Sequence, residues 1–203
     1  MSERIEASAR QRRSHAERTA QTRQRVIAAV VESIAEVGYQ RTTATEIARR
    51  AGVTWGAVQH HFGDKDGILL VVLEASFERF AQIVGDTPPK ESDLEERVAL
   101  FVDRSWEHFG SPHYRSTLEI LLNLSSALEL SWQSEMLASW LDLWSAYFPE
   151  CKSRRRRTID LMRYTISVLS GLATTRMLEG AEASIRANEL GFLKETLVRE
   201  IAR

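Results

Sequence analysis

Thr43-Ala44-Thr45-Glu46-Ile47-Ala48-Arg49-Arg50-Ala51-Gly52-Val53-Thr54-Trp55-Gly56-Ala57-Val58-Gln59-His60-His61-Phe62 is the stretch on which the fold turns. Thr43 and Glu46 stand at capping-box spacing and predict a short helix from Thr43 to about Ala51. Gly52 ends it where a left-handed residue is wanted, Val53 pins the turn, and Thr54 caps a further helix through about Phe62. Ile47, Ala48, Ala51, Val53, Val58 and Phe62 place small or apolar side chains where the two helices must cross.

Helical periodicity continues in both directions. Upstream, Val26, Val30 and Ile34 share one face of a helix from about Ala16 to Val37, closed by Gly38 and Tyr39. Downstream, Asp64 caps a long helix carrying Ile68, Leu69, Val72, Leu73, Phe77 and Phe80 toward Gly85. The prolines of Asp86-Thr87-Pro88-Pro89-Lys90 forbid helix, and Ser92-Asp93-Leu94-Glu95 reads as a capping box that restarts it. Further helices are predicted at about 93–109, 114–130, 132–148, 154–178 and 184–202. No stretch reads as a strand. The expected fold is all-α, with a flexible basic arm over 1–15, a helix-turn-helix domain over 16–65 and a larger helical domain over 66–203. The helix at about 64–85 is the expected connector.

With 203 residues, 43% of them apolar, a sizeable core is available and the composition argues against disorder. The longest apolar run, around Ile68–Leu73, is far too short to span a membrane. The arginine-rich start has no apolar stretch behind it, so it does not read as a secretory signal. One cysteine, Cys151, excludes an internal disulfide framework and fits a reducing cytoplasm, the expected location. The net charge of −1 divides unevenly. Residues 1–65 hold 11 Lys and Arg against 7 Asp and Glu, a net of +4, and the rest hold 16 against 21, a net of −5. A basic front on an acidic rear is what a chain meeting a polyanion at one end shows, and what many solvated surfaces also show.

Three helices within 16–62, with a tight turn between the second and third, match the helix-turn-helix plan, in which the third helix enters the DNA major groove. Thr42, Thr43 and Thr54 stand where hydroxyls and helix-start amides face phosphates, and Lys65 follows the reading helix as a backbone-holding cation. Trp55 and Gln59, four apart, share the face opposite Val58 and Phe62. Trp55 is expected to meet base edges through its ring and indole N–H, and Gln59 to read adenine or grip phosphate. Gly56 admits the backbone close to DNA, His61 contacts phosphate, and Ala57 and His60 complete the candidate set. The bland alternatives are a buried anchor for Trp55 and a packing role for His61.

Thr22-Arg23, Gly38-Tyr39, Thr42-Thr43, Ile47-Ala48, Ala51-Gly52-Val53-Thr54, Gly56, His61-Phe62 and Asp64-Lys65 together resemble the signature of the TetR family of transcriptional regulators (TetR/AcrR-like repressors). The resemblance implies a two-fold dimer, an N-terminal DNA reader and a C-terminal small-molecule pocket. Two positions depart from it. Gln59 stands where the family usually has Tyr, losing a ring that packs on the sugar-phosphate chain. Ala44 stands where some members place a base-reading cation.

Residues 92–203 are rich in aromatic side chains, which serve a core as readily as a pocket. Phe101, Trp106, Phe109, Tyr114, Asn123, Trp140 and Trp144 are the candidate lining for a small hydrophobic or aromatic effector, with His108, His113 and Arg115 nearby to orient it. Arg154–Arg157 reads as a solvated or acid-paired surface, with a phosphate site as the minority reading. Ile166, Ser167, Ser170, Gly171, Ala173 and Thr174, then Leu190, Leu193, Leu197 and Ile201, suit a homodimer interface through helices about 154–178 and 184–202, or packing within one subunit. The resemblance favours the dimer.

No phosphate loop, nucleophile elbow, zinc-spaced Cys/His set or zincin motif is present, so neither an enzyme, a metal nor a cofactor is expected. His60 and His61, adjacent on one helix, are expected to point apart and make a poor metal pair. The reading that results is a ligand-responsive repressor that binds a palindromic operator as a dimer. The alternative is a helical dimeric module that binds ligand or protein and has weak or non-specific DNA binding.

Overall fold

The computed structural model describes residues 2–86, 88, 91–123, 126–179 and 187–203, with side chains from 17 onward except over 126–135. Among the described residues it contains nine α-helices and no strand: α1 (Ser2–Val37), α2 (Ala44–Ala51), α3 (Trp55–Phe62), α4 (Lys65–Val84), α5 (Leu94–Phe109), α6 (Pro112–Asn123), α7 (Ser126–Tyr147), α8 (Arg155–Glu179) and α9 (Ala187–Ala202). No helix among them is long and apolar enough to cross a membrane.

Three boundaries differ from the sequence reading. Helix α1 runs back to Ser2 through the stretch expected as an arm, because no Gly or Pro interrupts this run of Ala, Glu, Gln and Arg. The break expected near Ser131 is not found there: position 131 lies inside α7, and no Gly or Pro stands at that point to stop a helix. The capping box of α5 is shifted by one residue. Asp93 Oδ1 accepts from Glu96 N–H at 2.8 Å while Glu96 Oε2 accepts from Asp93 N–H at 3.3 Å, Asp being as good a cap as Ser92. The expected start of α9 near 184 lies outside the described residues.

The chain forms two compact units, residues 1–75 with 119–123, and residues 76–118 with 124–203. In the first, Val26, Ala29, Val30 and Ile34 of α1 are buried, as are Ile47, Ala48 and Ala51 of α2. Val58 of α3, Ile68, Leu69, Val72 and Leu73 of α4, and Ile120 complete this core. Each large aliphatic side chain removed from water stabilises by about 1.5–3 kcal/mol. The last turn of α6 is held here by Glu119, which accepts from Tyr39 N–H at 3.0 Å, and by Asn123, which accepts from Gln40 Nε2 at 3.0 Å.

The second unit has an aromatic core. Phe80 of α4 stacks on Trp140 of α7, ring centres 4.4 Å apart and nearly parallel. Phe101 meets Trp144, Tyr147 and Phe148 edge-on at 5.1–5.4 Å. Tyr147 Oη donates to Val84 O at 2.8 Å and accepts from Arg104 Nη1 at 2.7 Å, so the final carbonyl of α4 is satisfied. Leu190, Leu193, Leu197 and Ile201 of α9, and Ala173 of α8, are buried in this same core. The leucine stripe read as a dimer face is therefore spent within the subunit, because α9 packs it against α5 and α8. The large apolar side chains that α8 and α9 leave exposed, among the described residues, are Tyr164, Leu178 and Phe192.

His108 sits in this core only 4% exposed, its ring edge-on to Phe80, Phe109 and Tyr114. Burial, then the nearby Arg79 and His113, push its pKa down from 6.5 to about 4. Below pH 6.5 the unfolded chain takes a proton that the folded one refuses, so this group's contribution falls from pH 6.5 towards 4 and levels off below. Between pH 7 and pH 5 the wild type should lose about 2 kcal/mol more stability than His108→Leu, read from urea unfolding at both pH values. Parallel losses in the two proteins would show that His108 is not held neutral.

Candidate functional site

Helix α2 starts at Thr43, whose extended backbone lets Oγ1 accept from Glu46 N–H at 3.2 Å. The reciprocal half of the expected box is not made. The Glu46 carboxylate turns instead to Arg49 Nη2 at 2.6 Å and to Arg50, which reaches on to Glu36 of α1 at 2.6 Å. These hydrogen bonds hold the Glu46 carboxyl down at about 2 and lower Glu36. The arrangement ties α2 to α1 through charge on its exposed side and through Ile47, Ala48 and Ala51 on its buried side.

Gly52 adopts φ 65°, ψ 37°, and its N–H donates to Arg49 O while Val53 N–H donates to Ala48 O at 3.1 Å. That pair is a Schellman closure, which turns the chain within two residues. Thr54 then caps α3, accepting from Ala57 N–H at 3.2 Å. Helix α3 anchors itself through Val58, fully buried, with Phe62 half-buried. Thr43, Thr54, Gly56, Gln59, His60 and His61 are exposed, and Trp55 and Ala57 are half-exposed.

Thr42 departs from its expected place at the phosphates. Its side chain is fully buried, donating to Gly38 O at 3.0 Å and sharing a hydrogen bond with Ser33 Oγ at 3.0 Å. A short polar side chain beside the Gly38 turn is worth more as a strut there than in water. Lys65 Nζ lies 4.5 Å above the Tyr39 ring, a cation–π contact that fixes the stem of the cation. The His60 and His61 rings are 5.3 Å apart, closer than the divergent pair expected. Arg41, exposed and without an ion-pair partner among the described residues, precedes Thr42-Thr43 and was not among the sequence candidates. Its position one residue before two threonines was the available signal.

Of the aromatic candidates, Phe101, Phe109, Tyr114, Trp140 and Trp144 gather in one buried cluster, with Trp106 packed at its edge. Asn123 does not join them. It belongs to the first unit, where it is exposed, accepts from Gln40 and donates to Glu119 O at 2.8 Å. Phe77 and Phe80, read from the sequence only as the apolar face of the fourth helix, also belong to the cluster, and buried Ser105, not among the sequence candidates, lies one turn from His108 on α5. Tyr114 Oη is satisfied by Ser170 Oγ at 2.8 Å. Ser105 Oγ, His108 Nδ1, Trp140 Nε1 and Trp144 Nε1 are buried without a hydrogen-bond partner among the described residues. Beside the cluster, Phe109, Pro112, Arg115, Ala173, Arg176 and Met177 line an open cleft of about 300 Å³. In the arginine run, Arg157 pairs with Glu200 at 2.7 Å, and Arg154, Arg155 and Arg156 are exposed.

The reader lies inside a match to the family model for bacterial regulatory proteins of the tetR family, over residues 26–72. The chain is 28% identical over 175 residues to the HTH-type transcriptional regulator BetI of Serratia proteamaculans, covering 86% of this chain and 78% of that one. It is 27% identical over 119 residues to the fatty acid metabolism regulator protein of Bacillus subtilis, covering 58% of this chain and 61% of that relative's length. A TetR family transcription regulator from Marinobacter aquaeolei superposes with a TM-score of 0.70 at 15% identity, over 91% of this chain and 97% of that one, a likeness of fold. The capped helices, left-handed turn and exposed face of α3 all lie inside the segment that matches the tetR family model, and the chain resembles HTH-type transcriptional regulators over most of its length.

Proposed function

We propose that the chain is a ligand-responsive repressor that binds a palindromic operator as a homodimer and is released by a small hydrophobic or aromatic effector. The observation that carries the reading is the outward face of α3, where Trp55, Gly56 and Gln59 meet solvent while Val58 anchors the helix from behind. In this reading Trp55, Ala57, Gln59 and His60 face base edges. Thr43, Thr54, His61 and Lys65 hold phosphates, joined by Arg41.

Homodimerisation is assigned to the exposed faces of α8 and α9. Leu178 and Phe192, 83% and 68% exposed, are large apolar side chains of the kind that a partner helix covers. A Cβ at Gly171 meets no atom within 4 Å, so this turn of α8 admits close approach. Two copies then present two reading helices to half-sites about one DNA turn, or a small multiple, apart. Helices α4 and α6 each contribute to both units, so an effector that favours one conformation of the larger unit has a covalent route to the reader. In this reading the protein acts on DNA in the cytoplasm.

Fluorescence anisotropy on the chain's own upstream promoter and on a shuffled fragment, across a salt series, tests the reading. The promoter should be preferred about a thousandfold. Trp55→Ala and Gln59→Ala should each weaken promoter binding about 10-fold or more while leaving the shuffled fragment unchanged. Equal binding of both fragments would instead support a helical module with non-specific DNA binding. For the dimer, Leu178→Lys with Phe192→Lys should convert the particle to a monomer of unchanged helicity in light scattering. A variant that stays dimeric would move the interface elsewhere.

A further inference from the structure

Natural cores seldom keep buried polar groups without partners, since each costs about 1–3 kcal/mol. Here three such groups stand on α5 and α7, two helices that pack together, and two of them meet one ring. Ser105 and His108 sit a turn apart on one face of α5, and Trp140 approaches from α7. Phe80 touches both the His108 ring at 5.3 Å and the Trp140 ring at 4.4 Å. All three groups are at least nine-tenths buried, and the walls around them are Phe77, Phe80, Phe109 and Tyr114. Phe109 is shared with the neighbouring open cleft.

We propose that Ser105, His108 and Trp140 are the polar contacts for an uncharged aromatic effector bearing hydrogen-bond acceptors, and that the site rejects organic cations. The inference rests on the ligand-responsive reading and names the chemistry of its effector. Trp140 Nε1–H is a donor only, and Ser105 Oγ–H can donate beside it, so the complementary group is a carbonyl or hydroxyl oxygen. Aromatic walls stack on a planar ring system. The carboxylates of the surrounding helices, Glu78 on α4, Asp103 and Glu107 on α5 and Asp142 on α7, are all exposed. The charged or titratable groups acting on His108 are Arg79 and His113, neither of them acidic. A buried cation would therefore lack a counter-charge and repel Arg79. The site's polarity is also neutral on the protein side, since His108 stays unprotonated at pH 7.

Isothermal titration of the full-length protein with 2-naphthol, flavone, naphthalene and ethidium tests this. At least one of the two uncharged acceptors should bind about tenfold more tightly than naphthalene, and ethidium more weakly than both. Ser105→Ala, His108→Leu and Trp140→Phe should each erase the preference over naphthalene. Ser105→Ala and His108→Leu should do so without lowering Tm, since deleting an unpartnered polar group removes a cost, whereas a structural role predicts a lower Tm. No binding by either acceptor, affinity equal to that of naphthalene, tightest binding by ethidium, or variants that keep the preference would each overturn the proposal. Displacement of promoter DNA is scored separately. A compound that binds with this selectivity but leaves DNA bound sustains the site and defeats the ligand-responsive reading. Release of DNA by ethidium alone does the reverse.

Discussion

The closure at Gly52 is the constraint on which the reader depends. A left-handed residue lets Val53 N–H return to Ala48 O and reverses the chain in the shortest available space, bringing α3 across α2. An L side chain at that φ costs about 1–2 kcal/mol, and a longer turn would not hold Val58 in the core while leaving Trp55 and Gln59 outside it. Thr43 and Thr54 begin the two helices on either side of this closure, so the caps, the turn and the buried valine act as one device. The Glu46–Arg50–Glu36 chain then fixes the device to α1.

The second unit follows a different logic. Its core is built from rings packed edge-on and stacked, a mode that fills space while keeping flat surfaces inside the protein. Satisfied groups such as Tyr147 and Tyr114 tie helices together. Unsatisfied ones, Ser105, His108 and Trp140, weaken the same core. A unit that forgoes stability at a few contiguous positions is open to being stabilised by whatever supplies the missing partners, which is the linkage a sensor needs.

The helix starts, the turn and the buried face of α2 and α3 were legible because their signals are local: caps, a glycine, and apolar spacing of three and four. Val58 inward and Gln59 outward followed from periodicity alone. Thr42 was misplaced because its role depends on Ser33, nine residues away on another helix, and sequence spacing does not report such a pairing. The leucine stripe of α9 was legible as a buried face, but a stripe looks the same whether its own subunit or a copy covers it. Asn123 was grouped with the aromatics by proximity in sequence, yet the end of α6 belongs to the first unit. The orphaned groups of α5 and α7 were out of reach, since a missing hydrogen bond is a property of three-dimensional surroundings.

Hydroxyl-radical footprinting of the full-length protein on its own upstream DNA tests the central claim, that α3 reads two symmetric half-sites. The account predicts two protected patches related by a dyad, on one face of the duplex and one helical turn or a small multiple apart, both lost in Trp55→Ala. Protection without sequence limits, or two patches that persist in Trp55→Ala, would contradict it.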